Sequence, residues 1–275
     1  MQEIKMSRDE YEARRWRIKG IVRTVYDYQD IRIKMGNRLR FKANGKDQEP
    51  NGTEMVINAE DIPSLVDAYD ESKEVEVGLV KSLNKELKGI PIYESFLKNV
   101  KGIGPMMAAV IIAEYDIYRA HTISALVQYT GLNPGLVKGR AMKNGEVVET
   151  DTLIKGDRLT SGFISPFNKR LRAKMIGVLG PSFLKTKSPY AKFYYDYKER
   201  LQNEARPIAG SEKAWRETTD LHRHNAAVRF MIKAFLRDLY YEWREIEGLP
   251  TRVPYEEEYL GIKHNSYKEN KNEEK

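Results

Sequence analysis

The sequence predicts an all-α protein, and three observations carry that expectation. Apolar residues recur at three- and four-residue spacing through most of the 275 residues, the period that lines up one face of a helix. A dense cluster of Gly, Asn, Pro and Asp at residues 43–58 and a polar, Gly-containing stretch at 137–161 interrupt that pattern, and there a short strand or small hairpin fits. A helix start is also written plainly: Gly102-Ile103-Gly104-Pro105 runs into the apolar segment Met106–Ala113. Proline suits the first helical position, which needs no N–H donor and whose φ it already has.

Composition bounds the partners. A formal charge of +7 with 32% charged residues suits a soluble chain with an acidic partner, and an excess of that size makes the distribution matter more than the sum. There are no cysteines, which excludes disulfides and thiolate zinc sites. Four histidines leave little for a metal centre. The first residues lack the apolar run of a signal peptide and no stretch approaches ~18 apolar residues. The chain is therefore expected in the cytoplasm, with no membrane partner.

Residues 1–90 read as a basic helical region. Ile18, Ile21, Val25, Tyr28, Met35 and Leu39 place a helix over 8–43, with Gly20 and Gly36 as expected breaks. Residues 14–42 hold ten basic side chains against two acids, Asp27 and Asp30. A charge run is commonly a solvated face. With Trp16, Tyr26 and Tyr28 interleaved it also reads as a nucleic-acid contact, through Arg32, Lys34, Arg38 and Arg40. After the loop at 43–58, Asn58 or Asp61 caps a helix ending near Leu87, acidic in its first half. Its carboxylates are scattered around the helix, where they suit the dipole better than a metal.

Residues 91–250 form the second predicted domain, with 251–275 as a polar tail. Ile92 to Leu97 makes an amphipathic turn leading to Lys101-Gly102-Ile103-Gly104. Two glycines allow a tight turn with positive φ and close backbone approach, and main-chain N–H groups at the start of the following helix attract phosphate oxygens. The pattern resembles a helix-hairpin-helix; an ordinary αα-hairpin is the alternative. Further on, Thr122 caps a short helix, Ile123–Tyr129, and Glu146–Glu149 is a candidate strand within a loop or β-hairpin insertion. Helices follow over about 166–179, bearing Lys169, Arg170, Arg172 and Lys174, and over 189–204, rich in aromatics. The last helix, about 211–247, carries an apolar stripe and beside it His222, Arg229, Lys233, Arg237 and Arg244. That second stripe reads equally as phosphate contacts or as basic stems lying along the core edge.

Several segments in one order carry a family resemblance. Leu97-x-x-Val100-x-Gly102-Ile103-Gly104-x-x-x-Ala108-Ala109 is followed by Ile112-Ala113-Glu114. Next come Ala125-Leu126-Val127-Gln128-Tyr129-Thr130-Gly131-Leu132-Asn133-Pro134, then Gly162-Phe163-Ile164-Ser165 with Asn168, Leu171 and Arg172, then His222–Arg229. Over residues 92–246 this is similar to the C-terminal, or transposase-20, domain of the insertion-sequence one-ten/one-sixteen group of transposases, recombinases guided by a structured RNA. The resemblance implies a RuvC-like domain with an Asp-Glu-Asp-Asp set upstream, yet residues 1–90 show no alternating strand–helix pattern. It also implies a nucleophilic Ser a few residues beyond Gly-Leu-x-Pro. Leu136-Val137-Lys138-Gly139-Arg140 stands there instead, and Ser161-Gly162 appears only after an insertion of about twenty residues.

The sequence thus predicts an all-α fold: a helical N-terminal region plus a helix-hairpin-helix-containing helical domain with a small irregular or β-hairpin insertion. The expected function is DNA binding in recombination or mobile-element biology, by backbone contacts and without a catalytic centre. The expected DNA contacts are Lys101, Gly102, Ile103, Gly104, Arg140, Arg158, Lys169, Arg170, Arg172, Arg229, Lys233 and the N-terminal basic face. A catalytic serine recombinase is the alternative, with Ser161 as nucleophile and Arg140, Arg158, Lys169 and Arg172 around the scissile phosphate. A structural or regulatory protein of a virus or plasmid is the second alternative. No cofactor is expected, Mg²⁺ entering only with catalysis. The expected partners are DNA, branched DNA included, structured RNA and a second copy of the chain.

Overall fold

A computed structural model describes residues 6–38, 62–208 and 212–252. Arg40, the loop at 43–58, Ser211 and the tail from 253 lie outside the described residues. The chain divides into two units, 1–90 and 91–275.

The first unit pairs α1 (Arg8–Arg38) with α2 (Pro63–Leu87). Tyr11, Ile18, Val22, Val25 and Met35 are buried along α1, with Ser72, Leu83 and Leu87 along α2. Gly20 and Gly36 do not interrupt α1. Each costs about 1 kcal/mol relative to Ala, which packing against α2 offsets, and a Cβ at Gly36 would stand 3.2 Å from the Tyr69 ring. The basic and acidic runs of the sequence are partners. Arg17 Nε donates to Glu86 Oε1 at 3.1 Å and Arg32 Nε to Glu76 Oε2 at 2.8 Å. Lys34 pairs with Asp30 one turn away, at 2.6 Å. Arg32 and Lys34, read as nucleic-acid contacts, thus have carboxylate partners within the unit.

The second unit is helical apart from one β-hairpin. Its elements are α3 (Pro91–Ser95), a 3₁₀ turn at Leu97–Asn99, α4 (Pro105–Glu114) and α5 (Ile123–Tyr129). Strands β1 (Leu136–Lys143) and β2 (Glu146–Lys155) follow. Then come α6 (Lys169–Lys174), a π-helical turn at Met175–Leu179, α7 (Gly180–Lys185), α8 (Tyr190–Asn203) and α9 (Asp220–Ile246). Helix α4 is buried from Met107 to Glu114, as an all-apolar helix must be. Phe183, Tyr190 and Phe235 meet edge-on or stacked with centroids 5.0–5.6 Å apart, and Trp243 and Tyr240 are fully buried on α9.

Three boundaries differ from the sequence reading. The helix expected to end at Leu179 continues through the π turn to Lys185. The last helix begins at Asp220, because Thr219 Oγ1 caps it by accepting from His222 N at 3.2 Å and residues 214–217 are tied into a preceding turn. The strand expected at 146–149 is part of a longer antiparallel hairpin. Asn144 and Gly145 both have positive φ, 51° and 83°, as a two-residue type I′ turn requires.

Candidate nucleic-acid interface

The turn into α4 is built on one glycine with positive φ. Gly102 has φ 100°, and a Cβ there would lie 2.9 Å from Phe183 Cδ1 and 2.9 Å from Thr186 Oγ1. Its carbonyl accepts from Ser182 Oγ at 2.7 Å, so the loop is seated on α7. Gly104 is different: its backbone is extended (φ −90°, ψ 171°), and a Cβ there would meet nothing within 4 Å. Of the two glycines expected to allow positive φ, only Gly102 adopts it. Gly104 is exposed, as are Lys101 and Pro105, while Ile103 is buried as an anchor.

The start of α4 offers free donors. Ala108 N–H is the first of the helix to find an acceptor, Gly104 O at 3.0 Å. Gly104 caps without a side chain, and the amides of Met106 and Met107 have no acceptor among the described residues. Lys101 stands on the loop. Lys185 and Lys187 flank Thr186, which touches Gly102, and all three lysines are exposed. The two α7-side lysines were missed by sequence reasoning. The run Lys185-Thr186-Lys187 is a local signal, but only the fold brings it to the glycine turn.

A second basic group surrounds α6. Asn168 Oδ1 caps α6 by accepting from Leu171 N at 3.0 Å, and its Nδ2 donates to the buried Glu114 at 2.8 Å. Arg172 is turned inward. It donates to Gly131 O and, at 2.6 Å, to Asp157 O, with its guanidinium over the Phe167 ring at 4.9 Å. Burial lowers its pKa, the Asp157 charge opposes this, and nearby Arg229 adds to the lowering. Burial also lowers the pKa of Lys174, with Arg170 adding to it. Lys169 and Arg170 are exposed. This places Arg170 beside Lys174 and Arg229 beside Arg172, while Arg172 itself serves as a strut.

Of the last helix's basic stripe, two members are committed elsewhere. Arg244 is 3% exposed and donates to Ile117 O, Ala120 O and Pro250 O at 2.7–3.0 Å. Arg237 pairs with Asp238 at 3.2 Å. Arg229 and Lys233 are half-buried.

The turn-rich exit after α5 clasps the base of the β-hairpin. Gln128 Nε2 donates to Gly156 O and Pro166 O at 3.4 and 3.3 Å, and its Oε1 accepts from Asn133 Nδ2 at 2.8 Å. Gly131 (φ 75°) leaves room for Phe167, whose ring a Cβ would meet at 2.6 Å. At Gly139, where the sheet register shifts, a Cβ would stand 2.5 Å from the Phe163 ring, and Ile164 N donates to Arg140 O at 2.7 Å. The chain leaving the insertion therefore returns to the residue from which it departed. Ser161 and Arg158 are exposed on that returning segment. Among the described residues no three His, Asp or Glu side chains converge as metal ligands, and no helix is long and apolar enough to cross a membrane.

These features define the class: an all-α protein in which a buried helix is entered through a glycine turn, with a β-hairpin set into the helical domain. Residues 94–138 match the family model described as Transposase IS116/IS110/IS902 family. The matched segment runs from α3 through the glycine turn, α4 and α5 into β1, and over it the transposase-20 resemblance is confirmed. Among curated proteins and among solved structures, nothing matches the chain.

Proposed function

We propose that this relative of transposases binds the sugar–phosphate backbone of duplex DNA through the turn at Lys101–Pro105, in the service of a mobile element. The observation that carries this reading is the turn itself: uncapped amides at the start of a ten-residue helix, an open Gly104, an exposed Lys101 on the loop, and exposed Lys185 and Lys187 on either side of Thr186, which lies against Gly102. Backbone amides at a helix start favour anions, and lysines beside them add long-range attraction. Such contacts fix position without reading bases. A binding panel of duplex, single-stranded, four-way-junction and structured-RNA probes tests it. Duplex affinity that is indifferent to sequence and falls steeply with salt is expected. No duplex binding at low salt overturns the reading.

A second reading, strand transfer by Ser161, has one observation in its favour. Phe163 packs at Gly139 and Ile164 N donates to Arg140 O, so the segment directly after Ser161-Gly162 returns to the position where the resemblance expects a serine. A covalent serine–DNA adduct that survives denaturation and is lost in Ser161→Ala would establish it. Its absence on nicked and branched substrates, with and without Mg²⁺, leaves a protein that binds and does not cut.

A further inference from the structure

The β-hairpin presents an outward face that no element of the second unit covers. Leu136, Lys138, Arg140 and Met142 of β1 are exposed, alternating with the more covered Val137, Gly139 and Ala141. Directly paired residues share a face, so Lys155, Leu153, Glu149 and Val147 of β2 complete it, opposite those four in that order. Leu136, Met142, Val147 and Leu153 are 56–59% exposed. Four large apolar side chains on one small sheet face mark an interaction surface.

The charges select its partner. The hairpin carries Lys138, Arg140, Lys143 and Lys155 against Glu146, Glu149 and Asp151, a near balance that gives little attraction for a phosphate backbone. On the outward face Glu149 lies 3.1 Å from Lys138, and Arg140 has no carboxylate partner among the described residues. A two-fold axis along the strands, between two such faces, sets every residue opposite its own cross-strand partner from the other copy. Arg140 then meets the second copy's Glu149 and Met142 meets its Val147, twice by symmetry, as an isologous interface requires.

We propose that this outward face docks against the same face of a second copy of the chain. Eight residues a side give a footprint on the order of 26 Å by 10 Å, short of the roughly 1,000 Å² of total buried surface typical of stable specific interfaces. The dimer is therefore weak and concentration-dependent.

Sedimentation velocity of the full chain, from micromolar to hundreds of micromolar, tests it. The wild type should pass from monomer to dimer. Met142→Ser with Val147→Ser should abolish the transition, and Glu149→Arg should weaken it by roughly tenfold. Arg140→Glu combined with Glu149→Arg should restore it, since the swap recreates both intermolecular pairs. Circular dichroism confirms that each variant is folded. A wild type monomeric throughout, a serine variant that associates unchanged, or a charge swap without rescue each overturns the proposal. So does a serine variant that loses DNA affinity while self-association stays intact, which would assign the face to nucleic acid.

Discussion

Gly102 and Gly104 stand two residues apart in one loop, and substitution should separate their roles. At Gly102, alanine would be forced to φ 100° with its Cβ 2.9 Å from both Phe183 and Thr186. The left-handed backbone costs an L-residue roughly 1–2 kcal/mol, and crowding a packed site adds about 1–3 kcal/mol. Since Thr186 can rotate and the buried Phe183 cannot easily, a total of about 2–4 kcal/mol is expected. In a unit of this size that lowers Tm by roughly 4–16 °C. Gly104→Val meets no such obstacle: the backbone is extended, the space is open, and loss of an N-cap glycine costs about 1 kcal/mol or less. Its effect falls instead on a phosphate approaching the amides of Met106 and Met107. Thermal unfolding and fluorescence anisotropy with a random-sequence duplex read the two together. Gly102→Ala should be strongly destabilised, while Gly104→Val should keep its Tm within a few degrees and bind every sequence more weakly. A folded Gly104→Val with wild-type affinity would refute the binding role of the turn. An unchanged Tm in Gly102→Ala would refute its seating on α7.

Arg32→Ala should destabilise the α1–α2 pair by about 1 kcal/mol, seen as an earlier helical melt, because its half-buried bond to Glu76 is lost; an unchanged melt would return Arg32 to solvent. Burial raises the pKa of Tyr115 far above its ordinary 10.0, against a smaller opposing effect of its bond to Thr130. The stability contributed by the neutral phenol is thus present below pH 10 and lost above it, by about 1.4 kcal/mol per pH unit. Tyr115→Phe should remove that part of the slope in alkaline denaturation, and an identical slope would contradict the burial argument. Gly139→Ser should cost about 1–3 kcal/mol by pressing on Phe163, and Phe163→Ala in the same chain should relieve it; additivity of the two changes would refute the contact.

Much of this architecture was legible in the sequence. The spacing of Ile18, Val25 and Met35 and the run Met106–Ala113 commit those segments to helix whatever surrounds them. Gly20 and Gly36 misled because propensity is a small local term that packing overrides. The fate of the arginines was the least legible. Arg172 and Arg244 look like phosphate ligands along the chain, yet they bond the carbonyls of Gly131, Asp157, Ile117 and Ala120. Two of these lie more than a hundred residues away from their arginine, so no local pattern signals the pairing. For the same reason the basic run of α1 read as a binding face until α2 supplied Glu76 and Glu86. The length of the β-hairpin was hidden by the exposure of most of its residues, which blurs strand alternation.

Backbone binding at the glycine turn is read out by the salt dependence of duplex binding in Lys101→Gln, Lys185→Gln, Lys187→Gln and their combination. Each lysine that neutralises a phosphate contributes about 0.9 to the slope of log affinity against log salt. Slopes should flatten stepwise, by about 0.9 per engaged lysine, with no change in Tm. A triple variant whose slope and affinity equal those of the wild type would contradict it.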